Sequence, residues 1–507
     1  MKPLKQRVVA AVAALALTSG LLGQASPASA VSGVIVYGWG LNGSGQVGNG
    51  GIGPPLPTPA PVSGLATDVT QVSGSGGVSA ARHSDGSVWT WGSDRRLGYP
   101  SPSRSTPARV PGLPWISQVS AGTGHVLTVD GQGKVWGWGD NFFGELGVTG
   151  PATSVTPVGA PISTVVQVAA GRDFSLALKS NGEVFAWGGN GLGQLGNGTV
   201  NAGGPTPVRV AVPYGIVQIA AWGNFGVALR NDGSVWTWGR NTNGQLGNGT
   251  TANAVPTPVR VDRRVSGIVQ IGAGDNHAMA LGGDGTVWIW GANDHGQIGD
   301  GTKADRLVPV HLGLTGITKI NAGRVGSMAL DSGGNLSYWG SNTSGEAANG
   351  TVDITDANPI TQPTRITTLP GVVTMSVGEY TPLAIATSQH AVVPHVIGVS
   401  CPVAAAALSA ADLTPACSYN GGTVTAQSIP SGTVVPKFTV VGLSMRAVVP
   451  DVTDLSCTGA SNQVRAAGLV PQCTGTGTWV GSQSPAAGRV VDAGTTVTLS
   501  MRSGPRP

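Results

Sequence analysis

The chain has 507 residues, 81 of them glycine and 35 proline, and only 10% carry charge. Glycine and proline at that level indicate disorder, or collagen if the period is strictly three. The 40% apolar content, with glycine in phase with tryptophan and valine every 50 or so residues, excludes both. The formal charge of +4 falls to near +1 once Lys2, Lys5 and Arg7 are removed with a leader. No run of five like charges occurs, so no nucleic-acid surface of clustered basic side chains is expected.

Residues 1–30 read as a secretory signal. Lys2, Lys5 and Arg7 form its positive start and Val8 to Leu22 its apolar core. Ala28-Ser29-Ala30 gives the small-x-small cleavage pattern, so cleavage is expected before Val31. The alternative is an uncleaved anchor, but the apolar run is short for a span and holds Thr18, Ser19 and Gly20. No later stretch is a membrane-span candidate, so an exported bacterial protein is expected, secreted or associated with the cell wall.

Trp-Gly pairs begin at Trp39, Trp91, Trp138, Trp187, Trp238, Trp290 and Trp339, at intervals of 52, 47, 49, 51, 52 and 49 residues. A fixed period of this size marks a propeller or a solenoid. Within a unit comes a run such as VVQVAAGRDFSLAL, an Asn-Gly or Asp-Gly turn, a second run into Trp-Gly, a glycine-rich loop and a Pro-Thr-Pro-Val segment. The runs have strand length and composition. Asp85-Gly86, Asn181-Gly182, Asp232-Gly233 and Asp284-Gly285 suit two-residue hairpin turns. Proline cannot donate to a ladder, so Pro-Thr-Pro-Val belongs at an edge. Each unit is therefore expected to be an antiparallel sheet of about four strands.

The region opens with the second half of a unit, VIVYGWGLNGSGQVGNG, and closes at Ser388 with a first half, VVTMSVGEYTPLAIATS. Pairing these orphans completes a seventh unit, shuts the ring and protects its edges. The unit D-G-x-V-W-x-W-G-x-N-x-x-G-Q-L-G-x-G, clearest at residues 233–249 and 285–301, resembles the repeats of the regulator of chromosome condensation family. The resemblance covers residues 34–388 and implies a seven-bladed β-propeller, expected over 31–388. Glu346-Ala347-Ala348 replaces the usual Gln-Leu-Gly and Arg95-Arg96-Leu97 replaces Gly-Gln-Leu, departures that bear on local loop shape and not on the fold.

After Ser388 the period changes. Val393-Pro394, Cys401, Cys417 and Gln427-Ser428 recur 56 residues later as Val449-Pro450, Cys457, Cys473 and Gln483-Ser484. This is a tandem of small α+β domains, expected at 389–447 and 448–507. Each has a short helix between its cysteines, that of the second copy near Gly459 to Ala467 with Thr458 as N-cap. Four cysteines allow three pairings. The equal spacing selects Cys401–Cys417 and Cys457–Cys473, and export favours their oxidation. The second copy, over 449–502, resembles the PASTA domain (penicillin-binding-protein and serine/threonine-kinase associated), and the first, over 393–445, more distantly. The resemblance implies extracytoplasmic association with peptidoglycan.

No nucleophile elbow, zinc pattern, calcium loop or phosphate-cradling lysine loop occurs. His125 and His277 share a slot that elsewhere holds Phe174, Phe225 or Gly77, as structural residues do. No enzyme, cofactor or metal site is expected. Sequence freedom is greatest just after a framework glycine (Gly74, Gly122, Gly171, Gly274, Gly323, Gly378), where one unit carries Trp222 instead. Arg172, Asp173, Trp222, Asn224, Asp275, Asn276, Arg324, Glu379 and Tyr380 form the candidate binding face, with Trp222 the foremost. The expected function is that of a monomeric, non-catalytic binding protein. Its propeller takes a protein or glycan, and its C-terminal tandem associates with peptidoglycan. Two alternatives follow from resemblance: a secreted enzyme inhibitor like the propellers that inhibit β-lactamases, ranked lower because the ring looks poor in aromatics, and a guanine-nucleotide exchange factor, which export disfavours.

Overall fold

A computed structural model describes residues 33–369, 371–387, 390–411, 413–417, 423–431, 434–436 and 440–504. The expected leader and its cleavage point lie outside them. The chain divides into two compact units, one ending at Thr387 and one beginning at Ser388. No helix among the described residues is long and apolar enough to cross a membrane.

The first unit is built of four-stranded antiparallel sheets, seven among the described residues. Ile216–Ala221, Phe225–Arg230, Val235–Asn241 and Ala252–Arg260 make one of them, paired in that order. Its second strand is buried almost throughout and its fourth is half exposed, so the fourth holds the prolines at an edge. The seventh sheet takes strands from both ends of the unit. Val34–Gly40 pairs with Leu383–Thr387, Val34 opposite Thr387 and Gly38 opposite Leu383. Leu56–Pro61 and Val372–Ser376 flank them. The first strands of successive sheets touch one another in order, and Val372–Ser376 touches Val69–Gly74.

Two sets of hydrogen bonds stitch neighbouring sheets. Each Trp-Gly tryptophan is fully buried and donates its indole N–H to a loop carbonyl of the preceding unit. The acceptors are the carbonyls of Glu346, Gln46, Arg96, Glu145, Gln194, Gln245 and Gln297, for Trp39, Trp91, Trp138, Trp187, Trp238, Trp290 and Trp339 in turn, at 2.7–2.9 Å. On the first strands, Gln71, Gln118, Gln167 and Gln270 each clasp the next strand through both amide atoms. Their partners are the backbone N–H and C=O of Val119, Val168, Ile219 and Ile320, at 2.8–3.1 Å. Gln218 accepts from the Ile271 N–H, and Lys319 donates to the Val373 carbonyl at 2.7 Å. These side chains line an axial channel of about 740 Å³.

The Glu346-Ala347-Ala348 loop keeps the common turn, whereas the Arg95-Arg96-Leu97 loop is two residues shorter and forms a 3-10 turn over Asp94–Arg96. The Glu346 and Arg96 carbonyls accept tryptophan N–H groups as the others do. Leu97 fills the usual apolar slot, fully buried, and Ala348 adopts the positive φ of 55° that glycine takes elsewhere. Loop shape thus changes at Arg95-Arg96-Leu97 and not at Glu346-Ala347-Ala348, and in both one carbonyl and one buried side chain keep the contact with the next unit.

In the second unit, α1 (Cys401–Ala410) and α2 (Cys457–Ala466) each precede a strand that runs parallel to the last strand of its copy. Both expected disulfides are present, each with Cα atoms 6.2 Å apart. α2 starts two residues before the expected position. Ser456 is the N-cap, because its hydroxyl accepts from the Gly459 N–H at 3.2 Å, which leaves Thr458 inside the first turn. The copies share a sheet: Val448 pairs with Val490 and Arg446 with Asp492. Residues 390–392 make the equivalent pairing with 434–436 in the first copy.

Trp39→Phe keeps an aromatic ring but orphans the Glu346 carbonyl. It is expected to cost about 2 kcal/mol, as Trp238→Phe does at an interior seam. Urea unfolding of both variants checks this.

Candidate binding face

In a four-stranded antiparallel sheet the first and third connections emerge at the same end. The loops after the framework glycines and the glycine-rich Trp-Gly loops therefore share one face. The framework loops converge around the channel and bind one another through backbone atoms. N–H groups of Thr123, Arg172, Gly223, Asp275 and Arg324 donate to carbonyls of Gly171, Gly223, Gly274, Gly323 and Gly378. A Cβ at Gly122 or Gly274 would collide with the carbonyl of the next unit's glycine, which is why glycine stands there.

The candidate side chains sit on this frame. Arg172 reaches across the loop of the intervening unit to hold Asp275 with two bonds of 3.0 and 3.1 Å. Arg324 donates to the Glu379 carboxylate and the Tyr380 hydroxyl, each at 2.6 Å, and its guanidinium lies 5.0 Å from the Tyr380 ring centroid. Asn224 and Asn276 accept from the Gln194 and Gln245 side chains at 3.4 and 3.3 Å. They act as links between loops, and Asn224 is buried. Asp173 is partly exposed, and burial raises its carboxyl above the usual range.

Trp222 corrects the sequence reading. It is 5% exposed, packed with Phe225, Val227 and Leu246, and it lines the channel. It cannot be an exposed anchor, because its slot ends a channel-lining strand. The need for glycine moves one residue on, to Gly223, where a Cβ would collide with the Asp275 carbonyl. The face is also richer in aromatics than expected. Phe142 and Phe143 stand 71% and 50% exposed on the loop after Trp138. Their signal was visible as two bulky residues where other units carry pairs such as Gly43-Ser44 or Thr242-Asn243. The glutamine clasps were visible as well, as glutamine recurring in phase in the first strand.

The shared histidine slot is internal. His125 and His277 bond the Ser175 and Ser327 hydroxyls at 2.9 Å. Burial drives both pKa values down to about 3, so neither shuttles protons near neutrality. No cluster of three metal-ligating side chains is found among the described residues.

A model of the RCC1-like domain matches residues 95–393. The chain belongs to the RCC1-like domain family. The RCC1 repeat also matches residues 35–82, and a PASTA domain residues 447–502, the second C-terminal copy. Among curated proteins, this RCC1-like chain is 32% identical over 280 residues to human "E3 ubiquitin-protein ligase HERC2", which covers 53% of this chain and 5% of that protein. It is 29% identical over 296 residues to the Arabidopsis thaliana "Ultraviolet-B receptor UVR8", covering 56% of this chain and 66% of that one. It is 30% identical over 317 residues to the Arabidopsis "RCC1 domain-containing protein RUG3, mitochondrial", covering 55% and 70%. The chain thus spans less than two thirds of the length of the first two. Human WBSCR16 superposes with a TM-score of 0.62 at 26% identity, over 70% of this chain and 99% of that one. Yeast RCC1 (Prp20), solved bound to Kap60, gives 0.63 at 22% over 70% and 89%, a likeness of fold.

Glu346 stands where four RCC1-type loops carry glutamine. It keeps the backbone contact, accepting from the Ser344 N–H at 2.8 Å, but its Oε1 is buried with no partner. Burial, and secondarily Asp356, raises its pKa from 4.5 to about 7. Between those values the folded chain holds more protons than the unfolded one, so stability falls as pH rises and the loss is complete above pH 7. Glu346→Gln is expected to remove a pH-dependent penalty of about 3 kcal/mol. Urea midpoints at pH 4.5 and pH 8 check it: the variant gains at pH 8 and little at pH 4.5.

Proposed function

We propose that this chain is an exported, non-catalytic binding protein. Its seven sheets are the blades of a closed ring whose loop face takes a protein or glycan partner. Its PASTA-like tandem associates with peptidoglycan. The observation that carries this reading is the separation of roles on the loop face. The residues common to the units are spent on stitching the ring, while the side chains that differ between units gather on loops tied by backbone hydrogen bonds. A preordered surface of that kind loses little entropy on binding. Yeast Prp20, which binds Kap60, Gsp1p and histones, supports a binding role. The matched PASTA domain and the two disulfides support an extracytoplasmic setting.

A secreted enzyme inhibitor is the second reading, favoured by the exposed Phe142 and Phe143. It predicts loss of class A β-lactamase activity on titration with the full chain, and an unchanged rate at micromolar protein excludes it.

Sedimentation with purified peptidoglycan tests the tethering role. The full chain is expected in the pellet, and a chain ending at Thr387 in the supernatant. Equal retention of the two contradicts it.

A further inference from the structure

Phe142 and Phe143 are held in place although they are exposed. The Phe143 N–H donates to the Glu145 carboxylate at 2.9 Å. A Cβ on Gly144 would lie 2.5 Å from the Pro205 nitrogen, so the loop is pressed against the next unit. Two aromatic rings on a fixed loop make an anchor point that costs little to order. An exposed apolar patch of this kind marks a contact surface.

The charge beside the rings identifies what docks there. Phe143 and Asp173 flank Gly189, and a Cβ at Gly189 would lie 3.6 Å from the Phe143 ring and 3.4 Å from the Asp173 Cβ. Two neighbouring seams join their loops with an amide pair, Gln194 with Asn224 and Gln245 with Asn276. At the equivalent positions this seam has two carboxyls, Glu145 and Asp173. The nearby cations are engaged elsewhere: Arg172 holds Asp275, and Arg96 lies 3.7 Å from Asp140. Burial raises both carboxyls above their ordinary range, and Arg172 offsets this in part at Asp173.

We propose that this corner of the loop face docks a lysine or arginine side chain of a protein partner, its aliphatic stem against Phe142 and Phe143 and its cationic head at the partly exposed Asp173, with the buried Glu145 adding negative charge beneath it. The inference rests on the reading of the loop face as the binding surface and gives the partner's chemistry. Such a contact combines apolar burial with charge complementarity, and salt weakens it.

The test uses the full chain and two labelled hexapeptides, alternating Leu-Lys and alternating Leu-Glu, each carrying a benzophenone at one end. The Leu-Lys peptide is expected to bind and to cross-link within residues 140–145 or 172–174, and the Leu-Glu peptide to do neither. Phe142→Ser with Phe143→Ser, and separately Asp173→Asn, are each expected to weaken binding about tenfold or more. Phe142→Tyr should retain it, which separates the docking role from a folding defect. Cross-links elsewhere on the loop face overturn this site and leave the broader reading in place. Cross-links confined to the opposite face overturn both. Absence of binding, or equal binding of the two peptides, overturns the proposal.

Discussion

Each four-stranded sheet of the repeat region depends on one hydrogen bond to its predecessor, from a buried tryptophan N–H to a carbonyl in the preceding loop. Each of these fully buried tryptophans carries an N–H whose burial is costly unless it finds an acceptor. In each preceding loop the acceptor is the carbonyl directly before the loop's buried apolar residue. Burial, loop shape and unit spacing are thus a single constraint. It repeats seven times, including the seam where Trp39 meets Glu346 at the far end of the repeat region. The glutamine clasps act on the same seams nearer the axis, where an exposed strand edge would otherwise stay unpaired.

Because that constraint sits on backbone carbonyls, it tolerates side-chain changes in the loops. Glu145, Arg96 and Glu346 all replace glutamine and still present the carbonyl. Two of them leave a local electrostatic mark instead: an orphaned carboxylate oxygen at Glu346 and a carboxyl pair at Glu145 and Asp173. The scaffold therefore carries changes of charge on its loop face without losing the seam contact.

The repeat, the half-units at its ends, the 56-residue tandem and the disulfide pairing were legible because each is a periodicity of residue type, and periodicity needs no three-dimensional information. The identity of the exposed side chains was not. Trp222 and Phe142 are both bulky residues in slots that are otherwise small. Sequence comparison cannot tell that one slot ends a strand facing the channel and the other tops a loop in solvent. The α2 cap was misplaced for a similar reason: Ser456 and Thr458 are both capping residues, and only backbone conformation distinguishes them. Arg172 and Asp275 were singled out separately, and nothing in their spacing of two units showed that they bond to each other.

The seam between the two ends of the repeat region carries the same tryptophan contact as the others and should be as strong as they are. Native-state hydrogen exchange measures this directly. The account predicts that amides of Val34–Gly40 exchange at the same slow, globally limited rate as those of Val235–Asn241. Exchange of Val34–Gly40 through local opening, orders of magnitude faster than the interior strand, would contradict it.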